Sequence, residues 1–216
     1  MRQIYVESGV RMAASDGAAV WCFDLDLWGV CVQARTADDA VAAWESTHGA
    51  AKVVETIVGD EGAFDRDRRP ASATEAAATA AILARQRLRA LRILGSLPTE
   101  VLERDDPRRE LPDWARWRTI SQTLWHITDA ESRYYLPALG LPGRERQATL
   151  AAELEASLAH VLLALARLDP RAHRESGGEV WTATKVLRRL AWHERGELDA
   201  IDDLLRGWGL AVPGEG

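Results

Sequence analysis

An α+β fold is predicted, a small β-α-β module followed by a four-helix bundle, and three observations carry it. Short β-like runs crowd the first sixty residues. The chain changes character near residue 65. Beyond that point apolar residues recur with the helical period in long segments. At 216 residues and 47% apolar composition, the chain can bury a full core in one large or two small domains.

The β-like runs are Gln3 to Glu7, Ala18 to Asp26, Gly29 to Ala34 and Val53 to Val58. Ala19 to Leu27 is rich in β-formers and partly alternating. Thr36-Ala37-Asp38-Asp39 has the form of a capping box, opening a helix through Trp44 with acids at its positive end. Asp60 to Pro70, crowded with Asp and Arg, reads as a charged linker.

Four helices are expected downstream. Ser72-Ala73-Thr74-Glu75 caps the first, which runs to Leu94 with Ala81, Ala84, Leu88 and Leu91 as packing residues, then stops at Gly95 and Pro98. A connection punctuated by Pro98, Pro107 and Pro112 leads to the second, from about Trp114 to Leu139. The third spans Arg146 to Leu168, with Leu150, Leu154, Leu158, Val161, Leu165 and Leu168 in register, and ends at Asp169-Pro170. The fourth begins near Thr182 and reaches Leu205. Four such amphipathic segments make a bundle the economical architecture.

Several function classes are set aside. The net charge of −6 is spread along the chain, so no nucleic-acid partner is expected. No stretch approaches the length of a membrane span, and residues 1–7 have no signal-like apolar run, which gives a cytoplasmic, soluble, reduced expectation. Cys22 and Cys31 read as small apolar fillers on neighbouring strands. No phosphate loop, nucleophile elbow or zinc-ribbon spacing occurs.

The chemistry points to the last helix. Following the period from Val186 through Leu190 toward Ile201 and Leu204 lands on His193 and Glu197. A buried carboxylate costs several kcal/mol unless a counter-charge, hydrogen bonds or a metal satisfy it. Two donors at i and i+4 share one face and can share a cation. Against this stand a hydrogen-bonded core role for His193 and an ion pair of Glu197 with Arg189, Arg195 or Arg133. Should the stripe be off by one position, Glu194 and Glu131 are the replacement ligands. His126 lies at the edge of the Leu124–Ile127 stripe. His160 falls off the Leu158–Val161–Leu165 seam, and His48 and His173 lie in loop-like contexts. Arg85-Gln86-Arg87-Leu88-Arg89 reads as a solvated helix face.

Two local motifs resemble a known family. Leu124-Trp125-His126-Ile127-Thr128-Asp129-Ala130-Glu131 resembles the second-helix histidine context of the DinB-like (YfiT-type) four-helix metalloenzyme superfamily. Trp181-Thr182 with Trp192-His193-Glu194-Arg195 resembles its fourth helix, although Glu197 stands where that family has a histidine. The resemblance covers residues 70–208. It implies a metal site of His126, His193 and Glu197 for zinc, nickel or iron, and thiol transfer or hydrolysis with a low-molecular-weight thiol and a small-molecule substrate. It also implies a homodimer. Trp125, Glu131, Trp181 and Trp192 are expected to line the cleft, and no further catalytic residue is assigned. Over residues 1–62, the Leu27-Trp28-Gly29 turn, the strand ending near Gln33 and the Thr36-capped helix are similar to a HicB-like module. That similarity implies an interaction or dimerisation unit with adhesive edge strands. The alternative function is a non-catalytic interaction or antitoxin-like protein whose bundle is structural.

Overall fold

The computed structural model describes residues 1–11, 17–107, 111 and 115–214; Pro112 and the expected helix start at Trp114 lie outside them. The fold is mixed α+β. Strands β1 (Arg2–Val10), β2 (Gly17–Cys22), β3 (Cys31–Ala34) and β4 (Ala51–Val58) form one sheet in the order β3-β2-β1-β4. Helix α1 (Ala37–His48) carries the chain across, so β4 runs parallel to β1 while the other pairs are antiparallel. Thr36 caps α1 by accepting from the Asp39 N–H, as the capping motif predicts.

Strand alternation gives the sheet two apolar faces. Ile4, Val6, Val20 and Cys22 meet Ala40 and Trp44 of α1. Tyr5, Ala19, Trp21 and Phe64 form the opposite face, which meets the helical part at Trp192. Cys22 and Cys31 are both free thiols, and burial pushes the Cys31 thiol up to about 12. Strand β2 stops at Cys22 instead of Asp26, because the chain turns through a 3-10 segment at Leu25–Leu27. Gly29 follows with φ +75, and a Cβ there would lie 2.7 Å from the Ala191 Cβ, so the turn needs glycine to dock on the last helix.

The charged linker is not a linker. Phe64 and Asp67 are wholly buried, and Asp67 takes both arms of Arg188 at 3.1 and 2.6 Å. Its polar composition serves a dry seam between sheet and helices.

The helical part comprises α2 (Ala73–Ser96), short α3 (Thr99–Leu102), α4 (Ile120–Asp129), α5 (Leu136–Ala138), α6 (Leu150–Ala166) and α7 (Ala183–Gly207). A π-helical turn, Ala130–Tyr135, joins α4 to α5. Helices α2 and α4 each pack on both α6 and α7, closing a four-helix ring. The Ser72–Glu75 capping box forms as predicted, and a Thr119–Gln122 box that the sequence reading did not use opens α4. An unexpected hairpin of β5 (His173–Ser176) and β6 (Glu179–Thr182) turns at Gly177-Gly178, both at positive φ.

Helix α2 buries a face that only partly overlaps the expected one: Leu91 packs on the core and Ala84 is half-buried. Ala81 is exposed and Leu88 is 63% exposed, while Thr79, Ile82, Leu83, Gln86, Arg87, Ala90 and Ile93 face inward. Alanine carries too little apolar contrast to fix the phase, and the buried polar residues masked it. Every residue from 181 to 190 is buried, because the sheet covers one side of α7 and the helices cover the other.

Candidate metal centre

His126 projects from the last turn of α4, and His193 and Glu197 project from successive turns of α7. Their ligand atoms lie within 4.8 Å of one another, a group that can hold a metal ion. The Nε2 atoms of His126 and His193 are 3.0 Å apart, and each lies 3.8 to 3.9 Å from Glu197 Oε1. Two imidazole nitrogens this close need either a shared proton or a shared cation. Nitrogens bound at about 2.0–2.1 Å to one tetrahedral ion stand about 3.3 Å apart, so a few tenths of an ångström of opening would admit a metal. His193 is held well below the usual imidazole range, first by burial, then by His126 and Arg189. It therefore offers a neutral lone pair at pH 7. Its Nδ1 is buried with no hydrogen-bond partner among the described residues.

Stacking fixes His126. The Trp117 ring lies 3.4 Å from its centroid, tilted by 7°. Tyr135 and Trp192 present ring edges to His193 at 5.7 and 6.0 Å. The trio opens into a cavity of about 610 Å³. Its walls include Trp117, Tyr134 and Tyr135 from the helical side, and Glu179 from the hairpin. Arg11, Asp60 and Glu61 close it from the β-rich module, so both parts of the chain build the site.

Glu61 is the non-glycine residue at positive φ (53) among those described. Lys185 Nζ donates to its carbonyl and Arg189 Nε stands 3.1 Å from its carboxylate, which holds this costly conformation at the cavity wall. Burial, and then Glu61 and Glu179, push the Tyr134 phenol up, so it keeps its proton at neutral pH.

The three expected ligands thus converge, and Trp192 lines the cavity as expected. The other expected lining residues lie elsewhere. Trp125 sits under Arg146, whose guanidinium is 4.8 Å above its ring. Trp181 is buried behind the wall, against Tyr134 and Tyr135 at 5.6 and 5.8 Å, with Lys185 Nζ 3.8 Å over its ring. Glu131 points to the back of the helices, where Arg87 Nη2 reaches it at 2.7 Å, and Glu194 meets Arg87 Nε at 2.9 Å. Neither replacement ligand therefore faces the cavity. Arg87, expected on a solvated face, is 1% exposed. Burial, then Glu131, push the Glu194 carboxyl well up, while burial works against Arg87 and both carboxylates outweigh it.

Two of the three competing partners for Glu197 form ion pairs elsewhere, Arg189 with Glu7 and Glu61 and Arg133 with Asp129 and Glu153. His160 is half-buried with Nδ1 3.3 Å from Ser132, His48 packs on Trp44 at 4.4 Å, and His173 is exposed on β5. Sequence reasoning missed Trp117, Glu61 and Tyr134. Only Glu7, a charge at an interior position of an alternating strand, signalled that polar groups cross the module boundary.

No family model, curated protein or solved structure matches the chain.

Proposed function

We propose that the chain is a divalent-metal-dependent enzyme of the thiol-transferase or hydrolase type, of the DinB-like kind, with His126, His193 and Glu197 holding the ion. The observation that carries this reading is the convergence of three donor atoms, from two helices, in an aromatic-walled cavity. A bound divalent ion with open positions acidifies a coordinated water or thiol toward neutral pH. Every other task falls to the chain. Trp117 stacks on the His126 imidazole and holds its plane, and Trp192 presents an edge to His193. Tyr134 and Tyr135 keep their phenolic O–H groups, which can serve as hydrogen-bond donors to a substrate oxygen. Arg11, Asp60 and Glu61 bound the cavity on its β-rich side. Zinc, nickel and ferrous iron all suit two imidazoles and a carboxylate.

Metal analysis of protein purified without a histidine tag tests the reading. One equivalent of metal in the wild type, lost in His193→Ala, is expected. Substoichiometric metal unchanged by that substitution would favour the non-catalytic alternative.

A further inference from the structure

We infer that Arg87 is the positioning residue of this centre: one guanidinium grips a carboxylate on the rear of each ligand-bearing helix and so fixes His126 against His193. The inference rests on the metal reading above.

Arg87 belongs to α2, which carries no ligand, yet its guanidinium touches the other three members of the ring. Nε donates to Glu194 Oε1 at 2.9 Å, and Glu194 directly follows His193 on α7. Nη2 donates to Glu131 Oε2 at 2.7 Å, and Glu131 lies in the π turn that extends the helix of His126. Nη1 donates to the Leu154 carbonyl of α6. Ser157 completes the cluster by donating to Glu131 Oε2 at 3.0 Å. Along a helix, successive side chains diverge by about 100°, so Glu194 faces the interior when His193 faces the cavity. The wider π turn rotates Glu131 inward while Tyr134 and Tyr135 reach the cavity wall.

Stability alone is a poor account of this triad. Desolvating one guanidinium and two carboxylates generally gains nothing over apolar packing of the same volume. Glu131 Oε1 and Glu194 Oε2 moreover find no donor among the described residues, and the neighbouring Glu131 opposes the charge of Glu194. What the planar fork supplies is direction, since it accepts both carboxylates only in one relative placement of the two helices. A metal site tolerates little displacement of its donors, and losing an outer partner typically weakens binding by about 10–100-fold.

The test compares wild type, Arg87→Lys and the charge-free Arg87→Met/Glu131→Leu/Glu194→Leu, all full length. Co²⁺ affinity, the Co²⁺ absorption spectrum and the thermal midpoint of the metal-free protein are measured. The charge-free variant is expected to keep a wild-type-like midpoint while binding Co²⁺ about 10–100-fold more weakly with a shifted spectrum. Should it fail to fold, Arg87→Lys, which keeps the charge and loses the fork, is expected to show the same weakening. Wild-type affinity and spectrum in either folded variant would overturn the inference alone. A wild type that binds no Co²⁺ would overturn the metal reading and this inference with it.

Discussion

Arg189 Nη2 on the last helix stands 3.0 and 2.9 Å from the two carboxylate oxygens of Glu7 on the first strand. Both side chains are wholly buried, and Trp21 donates its indole N–H to the same carboxylate at 3.1 Å. The Arg189 guanidinium also sits 4.7 Å over the Trp21 ring. His193 lies one helical turn beyond Arg189, so the pair that fastens the sheet to the helices also braces the helix that carries two candidate ligands. The β-rich module is thereby a wall of the site rather than an appendage.

Breaking that pair leaves a buried charge without its partner. Arg189→Met is expected to cost about 3–5 kcal/mol in chemical denaturation, and adding Glu7→Gln should recover part of that loss. A single-variant cost below about 1 kcal/mol, the range of surface pairs, would contradict the burial argument.

The phase of α2 is checked by two alanine substitutions. Leu83→Ala, at a wholly buried position, should cost about 2–5 kcal/mol. Leu88→Ala, at an exposed one, should stay within about 0.5 kcal/mol. Reversed sensitivities in urea unfolding would restore the face expected from sequence.

Glu197 is tested apart from stability because its side chain is partly exposed. Glu197→Gln is expected to leave the metal-free unfolding midpoint near wild type and to weaken Zn²⁺ binding by more than about tenfold, read by chelator competition. Unchanged affinity would remove Glu197 from the ligand set.

Lys185 predicts a pH dependence. Burial, followed by Arg189, lowers its pKa from 10.5 to about 8. Below pH 8 both folded and unfolded chains hold the proton, and the folded state bears the full cost of a buried ammonium. Between pH 8 and 10.5 the unfolded chain binds more protons than the folded one, so this contribution to stability rises with pH. The slope is at most about 1.4 kcal/mol per pH unit. Lys185→Met should lack this rise, so the stability difference between wild type and variant should move in favour of wild type across pH 8–10. A flat difference would show that Lys185 titrates normally.

Local rules carried much of this molecule. Thr36 and Ser72 announced their helices because a side-chain oxygen meeting an N–H three residues on is a contact within one turn. His193 and Glu197 were found because i and i+4 share a helix face in any straight helix. Leu83 and Leu88 show the limit: in an alanine-rich helix several phases are nearly equal in apolar content, and packing against α6 and α7 chose among them. Asp67 and Arg87 looked solvated for the same reason, since charge alone does not reveal a distant partner.

Sequence alone therefore carried the main strands and long helices in their order and the pairing of His193 with Glu197, which depend on neighbours within a few residues, but neither the β5–β6 hairpin nor the buried stretch around Asp67. Only the packing of elements placed Trp117 on His126, turned Glu131 and Glu194 away from the cavity to share Arg87, and brought Glu61 to the cavity wall from the segment after β4. Those outcomes depend on which helices and strands pack together, and a buried charge can be assigned a purpose only when the group that neutralises it is in view.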